Sequence, residues 1–483
     1  MKKKVYQSNF NDRVLNELKD ILGPENISTK KIDRLVVAHA VGSIEHKWII
    51  SGKYPYLPDV VVWPTNREQV SKIVKVANKY KTVIIPYGGG TNSTGATLYF
   101  NGGICIDTKK LTKFELSYKN LTATVGVGWT FRHLEDELNR LGYILGHYPQ
   151  SFQSSVVGGG ISTIAIGTFS TKYGKMDDLL VALEAVLPTG EIIKTTKAPK
   201  ASQGLNLNYL FLGAEGALGV VTEATLKIWP KPEVRKYMVY IFNTTHDGLE
   251  AIRNIMRSGI KPAVVRLYDE WESESKIEKF GYEAGYVILY LGFEGRKDLV
   301  ELEMKISDEC CSQQGGIFKG DEAGYIWEKT RFDTTLYLKL FLKPNTIVDT
   351  MEVSAPWDKI EDIWNTVRNA LTPFNIINYV HFSHFYQTGA MAYIIMLLKT
   401  PEDLTKMYKT YRSAIKTTLD TVLKKGGTIS HHHGIGTQKA YWMKKQHGAG
   451  FDVMKKIKKL LDPNNIMNPP IQRLGGDANV REL

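Results

Sequence analysis

Cysteine is scarce: 483 residues hold three, Cys105 and the adjacent pair Cys310 and Cys311, too few for a disulfide framework. That excludes the small disulfide-stapled class and suits a reducing, cytoplasmic setting. No uninterrupted apolar run reaches the roughly 18 residues of a spanning helix, so an integral membrane protein is not expected, while peripheral contact stays open. The opening MKKKVYQSNFNDRV is basic but has no apolar core of a signal peptide, so no targeting segment is expected. Low-complexity segments and solenoid-like repeats are also missing, which argues against disordered and repeat architectures. Acidic residues are in deficit, 50 against 62 Lys and Arg, giving a net charge of +12. Such a balance draws anions: nucleic acid, phosphorylated small molecules or acidic lipid headgroups. The lysines are scattered, as in VMKKIKKLL and YWMKKQHG, rather than blocked with aromatics. A phosphate-bearing substrate is therefore favoured over nucleic acid.

What the chain does have is glycine in three clusters before residue 220. The length predicts two structural units. The stretch LPDVVVWPTNREQVSKIVKVANKYKTVIIPYGGGTNSTGATL reads as a short strand, a helix opened by a Thr65/Glu68 capping box, a strand TVIIP and a glycine-rich loop. A second cluster, Gly158 to Gly160, lies among small and hydroxylated residues, followed by a strand and a hairpin turn at Pro188 and Gly190. The third, Gly213, Gly216 and Gly219, leads into an alternating strand that Pro230 and Pro232 terminate. The predicted boundaries are residues 1–235 for an N-terminal segment and the glycine-loop domain, 236–425 for an α+β cap that carries substrate contacts, and 426–483 for a C-terminal return. That return holds an amphipathic helix through Phe451, Met454, Ile457, Leu460 and Leu461, stopped at Asp462-Pro463.

Glycine tolerates positive φ and lets successive backbone amides face one concavity, so PYGGGTNSTGAT can nest a phosphate. It lacks the Gly-Lys-Ser/Thr ending of a nucleotide triphosphate loop, and Ser93 stands where a dinucleotide fingerprint has its third glycine. Three such loops, two rich in Ser and Thr, point to one long ligand with a pyrophosphate in its middle.

In order and spacing, PDVVVWPTNREQVSKIVKVA, PYGGGTNSTG, SSVVGGGISTIAIGTFSTKYG and LGAEGALGVVTEATLKIWP resemble the FAD-binding domain of the vanillyl-alcohol oxidase and cresol methylhydroxylase superfamily. The resemblance implies an α+β fold with a PCMH-type FAD-binding domain, a cap and a C-terminal helical return. It implies that Pro86, Tyr87, Gly88, Gly89, Gly90, Thr91 and Asn92 wrap the pyrophosphate. Ser155, Gly158, Gly159, Ser162 and Thr163 would hold the flavin and ribityl chain, and Glu215, Gly216, Val220, Val221 and Thr222 the adenine side and the isoalloxazine. No histidine or cysteine occurs in these loops, so FAD is expected to be non-covalent.

Two branches compete. FAD-linked D-2-hydroxyacid dehydrogenases of this fold carry a GEHGIG-like motif and an upstream histidine pair that together hold a divalent metal. Here the motif reads SHHHGIG, with His432 at the glutamate position, and VHFSHFYQTGAMAYI keeps His384 without GDGN or the paired histidine. No metal is expected. RLVVAHAVGSIEHKWIISGKYPYLPDVVVWPT, AVVRLYDE, DTMEVSAPWDKI, YQTGAMAYI, SHHHGIG and LDPNNI instead resemble the alkyldihydroxyacetonephosphate synthase (alkylglycerone-phosphate synthase) family. That resemblance implies an ether-lipid transferase replacing the acyl chain of acyl-dihydroxyacetone phosphate by a fatty alcohol, with flavin N5 as electrophile and no net redox change. Tyr386 falls at the family's catalytic tyrosine, and Arg266 at its phosphate-binding arginine.

A second family arginine, upstream of SAPWD, has no counterpart, leaving Lys339 and Lys343 nearby. A tyrosine of ordinary pKa near ~10 is too weak a base at neutral pH, so His431, His432 and His433 are expected to lower it. In a strand, His431 and His433 would share one face with His432 opposite. Plainer roles stay open: Tyr386 as half-buried packing, Arg266 paired with Asp269 or Glu270, His384 as a core histidine, and TTLYLKLFLK as a core-facing element or a lipid-contacting one. A homodimer is the default assembly.

Overall fold

The computed structural model describes residues 8–476 apart from 39, 43–46, 48–51, 53, 55, 283, 344 and 400–402. Part of the motif that begins at Arg34 therefore lies outside the described residues. Val60–Val62, Ile84–Tyr87 and Ile104–Asp107 are buried β-branched runs, and they pair in parallel with Ile104–Asp107 central. Parallel strands covered on both faces carry continuous apolar runs of this kind. The helix Arg67–Tyr80 makes their crossover. Its N-cap is Asn66, whose side chain accepts from the Gln69 amide at 2.9 Å while Gln69 Oε1 accepts from the Thr65 amide at 2.8 Å. The capping residues thus sit one position later than Thr65/Glu68, because Glu68 is drawn to Arg67 instead.

A five-stranded antiparallel sheet follows, in the order Phe114–Ser117, Thr122–Gly126, Val220–Lys227, Leu180–Val186, Ile192–Lys194. The second glycine cluster opens the short helix Val157–Thr163, and the third forms the turn entering Val220–Lys227. A further sheet has seven antiparallel strands. Their order is Ile317–Phe318, Val234–Phe242, Val287–Gly295, Val264–Tyr268, Ile376–Tyr386, Gly389–Lys399, Thr346–Pro356. Helices Thr245–Arg257, Lys297–Gln313, Trp357–Leu371 and Leu404–Lys424 belong to the same part of the chain.

The chain's last described stretch returns to the first sheet. Ile84 donates its amide to the Ile466 carbonyl at 2.7 Å, and the Asn468 amide donates back to Ile84 at 2.9 Å. Before it, helix Ala449–Leu461 buries Phe451, but Leu460 is 79% exposed rather than part of the apolar stripe. Its polar face instead buries Lys458, which donates to the carbonyls of Ala217 and Met467 and to Asp462. A fully partnered lysine fixes this helix on the third glycine loop. Among the described residues no helix is long and apolar enough to cross a membrane.

Candidate active site

The glycine loops are held together by close backbone approach. A β-carbon on Gly88 would fall 2.4 Å from the Val156 side chain, and one on Gly89 2.1 Å from the Ser154 carbonyl oxygen, so the first loop lies directly on the second. Gly216, at φ +78°, packs on Pro86, which brings the third loop to the first. Asn92 shapes the nest by accepting from the Ala96 amide at 2.9 Å and donating to Thr97 at 2.8 Å. Among the described residues the amides of Gly89, Gly90 and Thr91 make no backbone–backbone hydrogen bond, which leaves them available to an anion. A cradle of this kind, walled by glycines that a β-carbon would fill, fits a dinucleotide. Ser155 and Thr163 turn their hydroxyls to the carbonyls of Ser151 and Gly159, and the Thr222 hydroxyl goes to Glu184 at 2.8 Å. Val220 and Val221 lie buried in their strand.

Glu215 links these loops to the C-terminal motif. Buried at φ +48°, its carboxylate accepts from the amides of Ile435 and Gly436 at 3.3 and 3.0 Å and from Gln472 Nε2 at 2.8 Å. Burial raises its pKa to about 7 against these donors. Gly436, at φ +57°, has no room for a β-carbon, which would lie 1.9 Å from the Thr94 carbonyl oxygen. The SHHHGIG segment is therefore clamped between the first and third loops.

That segment is a series of bends, not a strand, and the reason is a carboxylate the sequence reading missed. Glu352, fully buried on strand Thr346–Pro356, accepts at one oxygen from the amides of His431 at 3.2 Å and His433 at 3.0 Å and from the Ser430 hydroxyl. Its other oxygen accepts from Lys439 Nζ at 2.8 Å and lies 3.0 Å from His433 Nδ1. Curling around one acceptor replaces the alternation of a strand. The three rings follow one another, centroids 5.3 and 4.4 Å apart, so they do not divide between two faces. Burial opposes ionisation of Glu352, but His433 and Lys439 hold it well below the usual carboxylate range.

Tyr386 ends strand Ile376–Tyr386, and its hydroxyl lies 2.7 Å from His431 Nε2. His431 Nδ1 in turn lies 3.1 Å from His432 Nδ1. Burial, then Lys175, lowers the His431 pKa to about 3, and burial with His433 takes His432 well below its ordinary value, so both rings are neutral. Tyr386 therefore donates, His431 accepts, and His431 Nδ1–H points on to His432. The expected lowering of Tyr386 does not occur: burial, then Asp177 and Asp178, push its pKa up, and neutral imidazoles cannot offset that. His384 is buried beside the triplet, its ring centroid 5.8 Å from His431 and 5.9 Å from His432.

Arg266 does not pair with Asp269 or Glu270. Its Nε donates to the Tyr268 hydroxyl at 2.6 Å and its Nη2 lies 3.0 Å from His381 Nε2, while Asp269 is taken by Arg368. His381, the second histidine of that stretch and overlooked in the sequence, contacts Glu272 at 2.9 Å and stacks on Tyr393. Lys339 lies exposed on helix Thr335–Leu342 and, among the described residues, is no hydrogen-bond partner of His431, His432 or His433. Lys175 was also missed; its ammonium donates to the His431 carbonyl at 2.7 Å. Signals existed for both missed groups: an acid inside the apolar strand TIVDTMEVSA, and a lysine directly after the second glycine segment.

A sequence profile described as FAD binding domain matches residues 58–196, and one described as FAD linked oxidases, C-terminal domain matches residues 231–471. The chain is 29% identical to an alkyldihydroxyacetonephosphate synthase of Dictyostelium discoideum over 94% of this chain and 80% of that one. It is equally 29% identical to a mitochondrial cytochrome D-lactate dehydrogenase of Arabidopsis thaliana, over 94% and 79%. A solved alkyldihydroxyacetonephosphate synthase superposes with a TM-score of 0.79 at 25% identity, covering 97% of this chain and 88% of that one. With the loop cradle above, these matches make the protein an FAD-binding member of the PCMH-type superfamily of FAD-linked oxidases, similar to alkyldihydroxyacetonephosphate synthase.

Proposed function

We propose that the chain transfers an alkyl group, replacing the acyl chain of an acyl-dihydroxyacetone phosphate by a fatty alcohol without net redox change. The observation that carries this reading is the Tyr386–His431–His432 chain, in which a histidine occupies the glutamate position of the metal-using hydroxyacid motif. The residues that would hold FAD are Pro86 to Asn92, then Ser155, Gly158, Gly159, Ser162 and Thr163, and Glu215, Gly216 and Val220 to Thr222. When bound, FAD supplies an electrophilic ring beside the reacting carbon. Tyr386 takes the proton α to the ketone as its own proton moves to His431 Nε2. The positive charge then spread over His431 and His432 is stabilised by ionised Glu352, the part a buried carboxylate plays beside a catalytic histidine elsewhere. The bond between the acyl carboxylate oxygen and that carbon breaks, the alcohol oxygen bonds to the same carbon as its hydroxyl proton passes to the departing carboxylate, which leaves as the fatty acid, and the proton stored on His431 returns to the α position.

Arg266, set by Tyr268 and His381, and His384 line the substrate side. Exposed Leu338 and Leu342 beside Lys339 support contact with a lipid surface where long-chain substrates reside. The 29% identity to a D-lactate dehydrogenase supports a second reading, oxidation of a D-2-hydroxyacid. The test is incubation of FAD-loaded protein with palmitoyl-dihydroxyacetone phosphate and labelled hexadecanol. Labelled ether product with equimolar palmitate is expected; absence of label in the headgroup product defeats the transfer reading.

A further inference from the structure

We propose that Lys175 is a specificity-determining residue that binds the anionic group of the substrate beside Tyr386. Resting on the assignment of Tyr386 and His431 as the reacting centre, it adds an anion subsite that neither Arg266 nor Lys339 supplies.

The positions of the cations lead to it. Arg266 is engaged with Tyr268 and His381, and Lys339 is exposed on helix Thr335–Leu342. Lys439 is paired with Glu352 and Lys458 with Asp462, both buried. Lys175 differs from all of these. Its ammonium has three donors, and its one hydrogen-bond partner among the described residues is the carbonyl oxygen of His431, whose ring bonds Tyr386. It lies close enough to depress the protonation of both His431 and His384. The nearest acids on its own turn do not neutralise it by contact: Asp178 Oδ2 accepts from the Lys175 amide at 3.1 Å, and Asp177 keeps a buried oxygen without a hydrogen-bond partner. Burial disfavours the charged ammonium, and an arriving anion relieves that penalty.

The shared chemistry is an oxyanion one or two carbons from a ketone or carbinol, which a phosphate or a carboxylate can supply. In the phosphate case the ammonium receives the headgroup, while the proton chain through His431 keeps its geometry. In the carboxylate case the same ammonium holds the acid of a 2-hydroxyacid.

The test uses FAD-loaded full-length protein and the flavin difference spectrum. Dihydroxyacetone phosphate is titrated against neutral dihydroxyacetone, and D-lactate against D-lactamide, in the wild type, Lys175→Gln and Lys175→Arg. Glutamine keeps a donor for the His431 carbonyl and deletes the charge. The wild type is expected to prefer one anion over its neutral partner by at least about tenfold, as for a charged hydrogen bond. Lys175→Gln should collapse that ratio toward one while Lys175→Arg retains most of it. A merely structural residue would weaken both members of a pair together and leave the ratio intact. An unchanged ratio in Lys175→Gln overturns the proposal, and so does loss of FAD from that variant, which would make Lys175 scaffold. A lysine-dependent preference confined to D-lactate upholds the subsite and defeats the transfer reading instead.

Discussion

Glu352→Gln is the most informative single change, because the carboxylate serves two separable purposes. One oxygen collects the amides of His431 and His433, and the other compensates buried Lys439. Glutamine is isosteric and its amide oxygen can still accept from the loop, but its amide nitrogen then faces the Lys439 ammonium. The loop hydrogen bonds weaken from charged to neutral, and a buried lysine loses its counter-charge. Removing one partner of a buried pair costs about 3–5 kcal/mol, of which the stranded charge is the greater part. Urea unfolding of the FAD-loaded variant should show a loss in that range. The double variant Glu352→Gln/Lys439→Met should recover at least about half of it, since no charge remains stranded. A loss under about 1 kcal/mol, or no recovery in the double variant, would refute the pairing. The exchange rate is expected to stay low in the double variant, because the charge that stabilises protonated His431 is gone even when stability returns.

Three further outcomes follow from the same geometry. Tyr386→Phe should retain FAD and lower the exchange rate by about 10²–10⁴-fold, the usual worth of a positioned acid–base group, as read in single turnover. Gly436→Ala should reduce FAD retention and the midpoint of thermal unfolding, because the new methyl collides with the Thr94 carbonyl at a positive φ; full retention would show that the clamp is slack. For Glu215, the native pKa of about 7 lies above the unfolded value of 4.5. A raised acid contributes stability fully present below pH 4.5 and lost as pH rises to 7. The stability of the wild type relative to Glu215→Gln should therefore fall by about 3 kcal/mol across that window, and a difference independent of pH would contradict it.

Local patterns were legible where one physical cause acts alone. The buried parallel strands around Ile84 and Val60, the three glycine loops and the helix after Pro64 could be read from β-branched runs, positive-φ requirements and periodicity. A long ligand with a central pyrophosphate was legible for the same reason, since amide nests need glycine at fixed places, and the resemblance of the three loops to a known family made that ligand FAD. What escaped the sequence reading depends on partners far away in the chain. Nothing local says that His431 to His433 must curl around Glu352, 79 residues upstream of the first of them, or that Asp269 will choose Arg368 over Arg266. The direction of the Tyr386 shift is not legible because it turns on burial, which keeps His431 and His432 neutral. Lys175 stands one residue past the segment read as a flavin-binding loop, and only the fold brings it to the His431 carbonyl.

The central claim is that the site handles a proton through Tyr386 and His431 with no net electron transfer from substrate. Anaerobic mixing of the FAD-loaded protein with D-lactate and related D-2-hydroxyacids, followed by flavin absorbance, tests it most directly. The oxidised spectrum should persist with every hydroxyacid. Bleaching at a catalytically useful rate, with no fatty alcohol present, would contradict the claim and establish a dehydrogenase.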